Sequence, residues 1–179
     1  VFLFGFAGLF GKFLSCSPLY IVLGRTFFAS ITLFVFARFF SKTVLSASGK
    51  KEIFFFALQG ILLAAHWWSF FVSIQISSVA IGLVTFSTFP LFVTFLEPLF
   101  FQEKLQSTDI LVAGSVFIGI LLVIPNFNFS DNLTRGGFFG IISGLTFALL
   151  SLVNRRNARL SDAIAVAFYQ NLFASLFLI

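Results

Sequence analysis

The sequence has no methionine, a single cysteine and a single histidine, and only 9% of its residues are charged. One cysteine, Cys16, excludes an intrachain disulfide, and it is read as a small packing residue rather than a reactive thiol. The paired Cys and His spacings of a metal site are missing. So are a Walker loop and a Gly-x-Ser-x-Gly elbow. A lone His and scattered serines do not make a triad. No enzymatic activity, cofactor or metal is therefore expected.

The scarcity of charge excludes more than chemistry. Soluble domains carry about 25% charged residues. Between Glu52 and Glu97 this chain has no Lys, Arg, Asp or Glu, and His66 is the sole ionisable side chain. Drawn as one helix, that stretch would run roughly 66 Å, against a hydrocarbon core of about 30 Å. It has to fold back on itself, and Gln75-Ile76-Ser77-Ser78 is the natural turn. A hairpin this apolar has lipid as its solvent.

What the chain has in quantity agrees. Hydrophobic residues make up 59% of it, with 31 Phe. A membrane β-barrel needs alternating strands, and the runs Ile53 to Leu58 and Ile118 to Ile124 do not alternate. The expected fold class is an all-α integral membrane protein, a polytopic helical bundle. Its net charge of +5 sits in short loops between apolar runs, which is an orientation signal and not a nucleic-acid footprint.

The apolar pattern predicts seven helical segments: about Val1–Leu14, Leu19–Phe40, Ile53–Gln75, Val79–Phe101, Ile110–Ile124, Gly136–Val153, and one from Ala163 onward. Pro18 suits the first turn of the second, Pro125 ends the fifth, and Asp162 is a fitting N-cap for the last. Alternating the loops by side gathers Arg38, Lys42, Lys50, Lys51, Lys104, Arg155, Arg156 and Arg159 on one side. Only Lys12 and Arg135 fall on the other, so the first side is cytoplasmic. The absent methionine and the apolar runs at both ends are expected of a segment of a longer chain. Small residues recur four apart at Gly136, Gly140 and Gly144, at Ala7 and Gly11, and at Ser115 and Gly119. That spacing lets helices approach closely in lipid.

A shift of 145 residues superposes Phe28, Ala29 and Ser30 on Phe173, Ala174 and Ser175. The second copy would restart after five spans, an odd number, and so enter the membrane from the opposite side. That is an inverted repeat, as in many secondary transporters. The chain also resembles the first repeat of the EamA family in the drug/metabolite transporter superfamily. The likeness rests on Ser17-Pro18 with Arg25 inside the helix, and on Ser77-Ser78-Val79-Ala80 opening the fourth segment. It continues with Pro90, Glu103-Lys104 at that segment's cytoplasmic end, and Gly114 with Gly119 in the fifth. The resemblance implies two inverted five-helix repeats that carry small metabolites, often amino acids or their derivatives, by alternating access. Residues 1–125 would then be the first repeat, 126–135 an outer loop, and 136–179 the start of the second.

Ionisable and polar groups inside spans are the site candidates. Arg25 offers a bidentate fork to a carboxylate or phosphate, or else snorkels outward or pairs with another helix. Gln170, between Tyr169 and Asn171, takes its place in the repeat. Gln59, His66, Ser69 and Ser73 share one helical face, and that face should look into the bundle. His66 is a candidate proton relay or a neutral ring held by a neighbouring helix. Trp67 and Tyr169 would shape a pocket. Glu97 is a second proton-coupling candidate, or a partner for Arg38 or Lys104. Pro90, on the face of Ser87, Thr94 and Glu97, is a kink and hinge candidate. The substrate-binding set is Arg25, His66, Trp67, Tyr169, Gln170 and Asn171.

The expected function is a secondary transporter of a small polar metabolite in the bacterial inner membrane, the alternative being a channel or a non-transporting scaffold or sensor. Expected partners are the bilayer, a small metabolite and protons, with a homodimer admissible and nucleic acid excluded.

Overall fold

The computed structural model describes residues 2–40, 45, 49–102, 105–123, 128–157 and 162–179. Among them are eight helices and no strands. They are α1 (Phe2–Phe13), α2 (Pro18–Phe39), α3 (Lys50–Ile76), α4 (Val79–Phe86), α5 (Phe89–Phe101), α6 (Ser107–Val123), α7 (Asn132–Asn157) and α8 (Ala163–Leu178). The all-α expectation is met.

Local chemistry sets the helix ends. Pro18 occupies the first turn of α2. The Ser78 hydroxyl accepts from the Ile81 N–H at the start of α4, and the Asp162 carboxylate accepts from the Ile164 N–H at the start of α8. The turn between α3 and α4 falls on Ser77 and Ser78, as their polarity predicted. Pro125, expected to end the fifth segment, and Glu103-Lys104 lie outside the described residues.

Three boundaries run further than the apolar pattern implied. Helix α3 begins at Lys50, α6 at Ser107 and α7 at Asn132, because polar first and last turns project beyond the hydrocarbon. The fourth predicted segment differs more. Val79 to Phe101 is long and apolar enough to cross a membrane, but it breaks at Ser87-Thr88 into α4 and α5. Pro90 is therefore not mid-helix; it lies in the first turn of α5. Having no N–H, it leaves the Phe86 carbonyl without its helical partner. The break is closed by local bonds. The Thr88 N–H donates to the Thr85 carbonyl at 3.2 Å, the Thr88 hydroxyl to the same carbonyl at 2.7 Å, and the Ser87 hydroxyl to the Leu83 carbonyl at 2.8 Å.

Helix α3 is the axis of the bundle. It packs on α7 and α8 and also touches α1, α2 and α4, whereas α6 lies outside against α4 and α5. The buried apolar cluster is Val22, Leu63, Ala64, Trp67, Phe70, Phe71, Ile74, Leu150 and Ala174. Around it polarity is inverted. Gln59, His66, Ser69, Ser73, Thr85 and Ser143 are buried, while Phe13, Phe39, Leu99, Leu111, Leu122 and many other large apolar side chains are exposed. In water that arrangement would be costly. In lipid it is the expected one.

The glycine stripe on α7 is a packing face. A Cβ at Gly140 would sit 2.8 Å from the Thr85 Cβ, and one at Gly144 would sit 3.2 Å from both the Phe86 carbonyl oxygen and the Phe89 nitrogen. The backbone of α7 thus lies directly on the broken segment. On α1, Gly11 abuts the Phe71 ring, whereas Gly119 on α6 faces open space.

Contacts at the helix ends sort them into two sets. At one end Lys12 donates to the carbonyls of Ile74 at 3.1 Å and Ser77 at 3.0 Å, and Gln75 donates to the Cys16 carbonyl at 2.9 Å. At the other, Arg155 pairs with Glu97 and Arg156 lies over the Phe55 ring at 4.7 Å. The second set lies at the end where the charge count gathers most of the basic residues.

Candidate functional site

The polar face predicted on α3 does turn inward. Gln59, His66, Ser69 and Ser73 are all buried. Each polar atom there must find a partner inside the bundle or remain without one. Ser69 is satisfied by its own helix, donating to the Ala65 carbonyl at 2.7 Å. Gln59 donates through Nε2 to Asn154 Oδ1 on α7 at 2.7 Å. His66 reaches the same helix, its Nδ1 standing 3.1 Å from the Ser143 carbonyl oxygen and 2.9 Å from the Ser143 hydroxyl. His66 Nε2, Gln59 Oε1 and Ser73 Oγ have no hydrogen-bond partner.

Aromatic rings enclose His66. Ring centroids lie 4.9 Å away for Trp67, 5.2 Å for Phe86 and 4.9 Å for Phe147, with Phe70 further off at 6.2 Å. Phe86 stacks on Phe89 at 5.3 Å, and Phe89 meets Phe147 edge-on at 5.1 Å. Phe86 and Phe89 flank the break at Ser87-Thr88. The broken segment therefore places two rings against the histidine enclosure.

Arg25 approaches from α2. Its guanidinium carbon sits 3.4 Å from the Trp67 ring centroid. Such a stack contributes about 0.5–2 kcal/mol, more as water is excluded. The indole covers the face of the guanidinium, and among the described residues its N–H fork has no carboxylate partner. Among the described residues the ion pair observed is that of Arg155 with Glu97, not one to Arg25. Arg25 keeps part of its surface exposed beside the indole.

The structure thus joins Arg25, Trp67 and His66, and adds Ser143, Phe86 and Phe147. It does not bring in the α8 trio. Tyr169 stacks on Phe56 at 4.8 Å and donates its hydroxyl to the Leu45 carbonyl at 3.1 Å. Phe56 lies ten residues before His66 on α3, roughly 15 Å along the axis. Asn171 donates to the Ala167 carbonyl of its own helix at 2.8 Å. Gln170 keeps a buried Oε1 without a partner. Next to Arg25, the Thr26 hydroxyl accepts from Ser175 of α8 at 3.0 Å. Glu97 pairs with Arg155 of α7 and not with Arg38, while Lys104 lies outside the described residues; Arg155 also lies 4.5 Å from the Phe101 ring centroid.

Ser143 was within reach of sequence reasoning. It stands three residues after Gly140, on the small-residue face that packs inward. Arg155 gave no such signal, since it reads as one more cytoplasmic basic residue.

An apolar-surfaced helical bundle with an enclosed polar and aromatic centre defines a polytopic integral membrane protein. The chain belongs to the EamA-like transporter family, whose model matches residues 1–124. It is similar to the S-adenosylmethionine uptake transporters of Rickettsia bellii, 24% identical over 147 residues and 81% of this chain, and of Rickettsia conorii, 25% identical over 145 residues. That of Rickettsia felis is 26% identical over 147 residues. The chain spans about half, 48%, of the length of each of these relatives. No solved structure matches it.

Proposed function

We propose that this chain belongs to a secondary active transporter that moves a small polar metabolite across a bacterial inner membrane by alternating access. The observation that carries the reading is Arg25 laid against Trp67, with its N–H fork unclaimed by a carboxylate among the described residues. A stacked guanidinium is pre-oriented to take a carboxylate through two parallel bonds. Beside it, the His66 enclosure offers ring faces and one bare nitrogen. The substrate class with the best support is an amino acid derivative bearing an apolar or aromatic group. The relatives' solute, S-adenosylmethionine, has such chemistry: a carboxylate, a sulfonium and a flat adenine.

In this reading residues 1–125 form one five-helix repeat, 126–135 the outer connection and 136–179 the start of an inverted second. The rocking element is the joint at Ser87-Thr88, with Pro90 holding it open. Parting α7 from α3 and α5 exposes the centre to the cytoplasm. Of the two proton candidates, His66 is favoured, because Glu97 is engaged by Arg155. Tyr169, Gln170 and Asn171 line the cytoplasmic half of the path rather than the central site. Nothing in the scheme requires a second copy of the chain.

The test is uptake of labelled S-adenosylmethionine by proteoliposomes holding the full-length protein, with and without a pH gradient. Saturable uptake above empty vesicles is expected. Non-saturable leak would mark a channel, and no flux of this or competing amino acid derivatives would contradict the transport reading.

A further inference from the structure

The side chain in the enclosure with least explanation is His66. Its ring is 1% exposed, and only one of its nitrogens is engaged. The partner of that nitrogen decides what the other can do. A carbonyl oxygen can only accept, and the Ser143 carbonyl stands 3.1 Å from Nδ1. Were Nδ1 bare, its lone pair would face that oxygen's lone pairs. With the proton on Nδ1, the ring donates to the carbonyl, and the Ser143 hydroxyl at 2.9 Å lies within reach of the same N–H. The Thr146 hydroxyl donates to the same carbonyl at 3.1 Å, which orients it further. The neutral ring then carries a lone pair on Nε2, buried among Trp67, Phe86 and Phe147 and matched by no donor. A buried acceptor left unmatched costs about 1–3 kcal/mol. A site that tolerates the cost in the empty protein recovers it when a donor arrives.

We propose that His66 reads its substrate through Nε2, accepting one hydrogen bond from the exocyclic amine of a flat heterocycle stacked among the phenylalanine rings, and that Ser143 of α7 is the positioning residue that sets this tautomer. The inference rests on the transport reading for the site's purpose. One acceptor surrounded by ring faces suits an aryl amine, which has a π-face to stack and an N–H to give. A bare ammonium would need more acceptors than the enclosure supplies. The carboxylate at Arg25 and the amine at His66 would then fix the two ends of one elongated solute across Trp67. Phe86 and Phe89, on either side of the Ser87-Thr88 break, must turn aside to admit it. Substrate entry would thereby couple to the joint.

The experiment is nitrogen-15 NMR of the full-length protein in nanodiscs, labelled at histidine, with His66→Gln used to assign the His66 signals. The empty protein should show a protonated Nδ1 and a bare Nε2. Adding S-adenosylmethionine should move the Nε2 signal in the direction of an accepted hydrogen bond. An analogue dimethylated on the adenine amine should leave that signal in place and compete roughly tenfold less well, the worth of one bond. Ser143→Ala keeps the carbonyl and should keep the protonated Nδ1; a switch to a protonated Nε2 in that variant would show that the hydroxyl sets the tautomer and would overturn the role given to the carbonyl. A protonated Nε2 in the empty protein overturns the proposal. So does equal competition by the dimethylated analogue, and in that case the transport reading stands. If neither compound binds or is carried, the solute assignment fails, and the spectrum of the empty protein still decides the tautomer.

Discussion

Gln59 on α3 donates to Asn154 on α7 at 2.7 Å, and the next residue along α7, Arg155, pairs with Glu97 of α5. Two adjacent residues of one helix thus hold two other helices near its C-terminal end. The proposed cycle requires both ties to part together.

The two ties differ in strength. Asn154→Ala leaves Gln59 with no partner at either amide atom, since its Oε1 already lacks one. A loss of about 1–3 kcal/mol is expected, read as a lower melting temperature in detergent. The ion pair has side chains 36% and 29% exposed, so breaking it should cost only about 0–1 kcal/mol. Glu97→Gln should therefore melt close to the wild type. It should also keep its response to a pH gradient, because the proposed scheme makes the carboxylate a tie and gives proton transfer to His66. Loss of that response with uptake retained would reassign Glu97.

Helix packing gives a sharper contrast. Gly140→Ala drives a methyl into Thr85, where the nearest carbon is 2.8 Å away. Overpacking of this kind costs about 1–3 kcal/mol, visible as reduced yield of monodisperse protein. Gly24→Ala meets nothing within 4 Å and should stay within about 0.5 kcal/mol of the wild type. Equal behaviour of the two would show that α7 does not lie on α4 as described.

Pro90→Ala returns an N–H to the Phe86 carbonyl and should extend helical bonding through the break. The variant should bind substrate with near-normal affinity but turn over several-fold more slowly. Unchanged initial rates under saturating substrate would remove the joint at Ser87-Thr88 from the mechanism.

Much of this was legible in the residues. Absent charge from Glu52 to Glu97 dictated spans and their turn, because lipid leaves few alternatives to a helix. The Gln59, His66, Ser69 and Ser73 face was visible as a spacing, and burial followed from it. What lay beyond reach depended on which helix becomes the neighbour. The pairing of Glu97 with Arg155 rather than Arg38 needs the position of α7. The separation of Tyr169 from His66 needs the height of α8 against α3. The break at Ser87-Thr88 was hinted at by Pro90, but its place was shifted by hydroxyls that satisfy the backbone locally.

The central claim is that Arg25, held flat on Trp67, anchors the carried solute. The most direct measurement is the initial rate of labelled S-adenosylmethionine uptake by proteoliposomes matched for reconstituted protein, comparing wild type with Arg25→Ala and Arg25→Lys. Both variants should fall at least about tenfold, the lysine because a point charge reproduces neither the stack nor the fork. Wild-type uptake by Arg25→Ala would contradict the account.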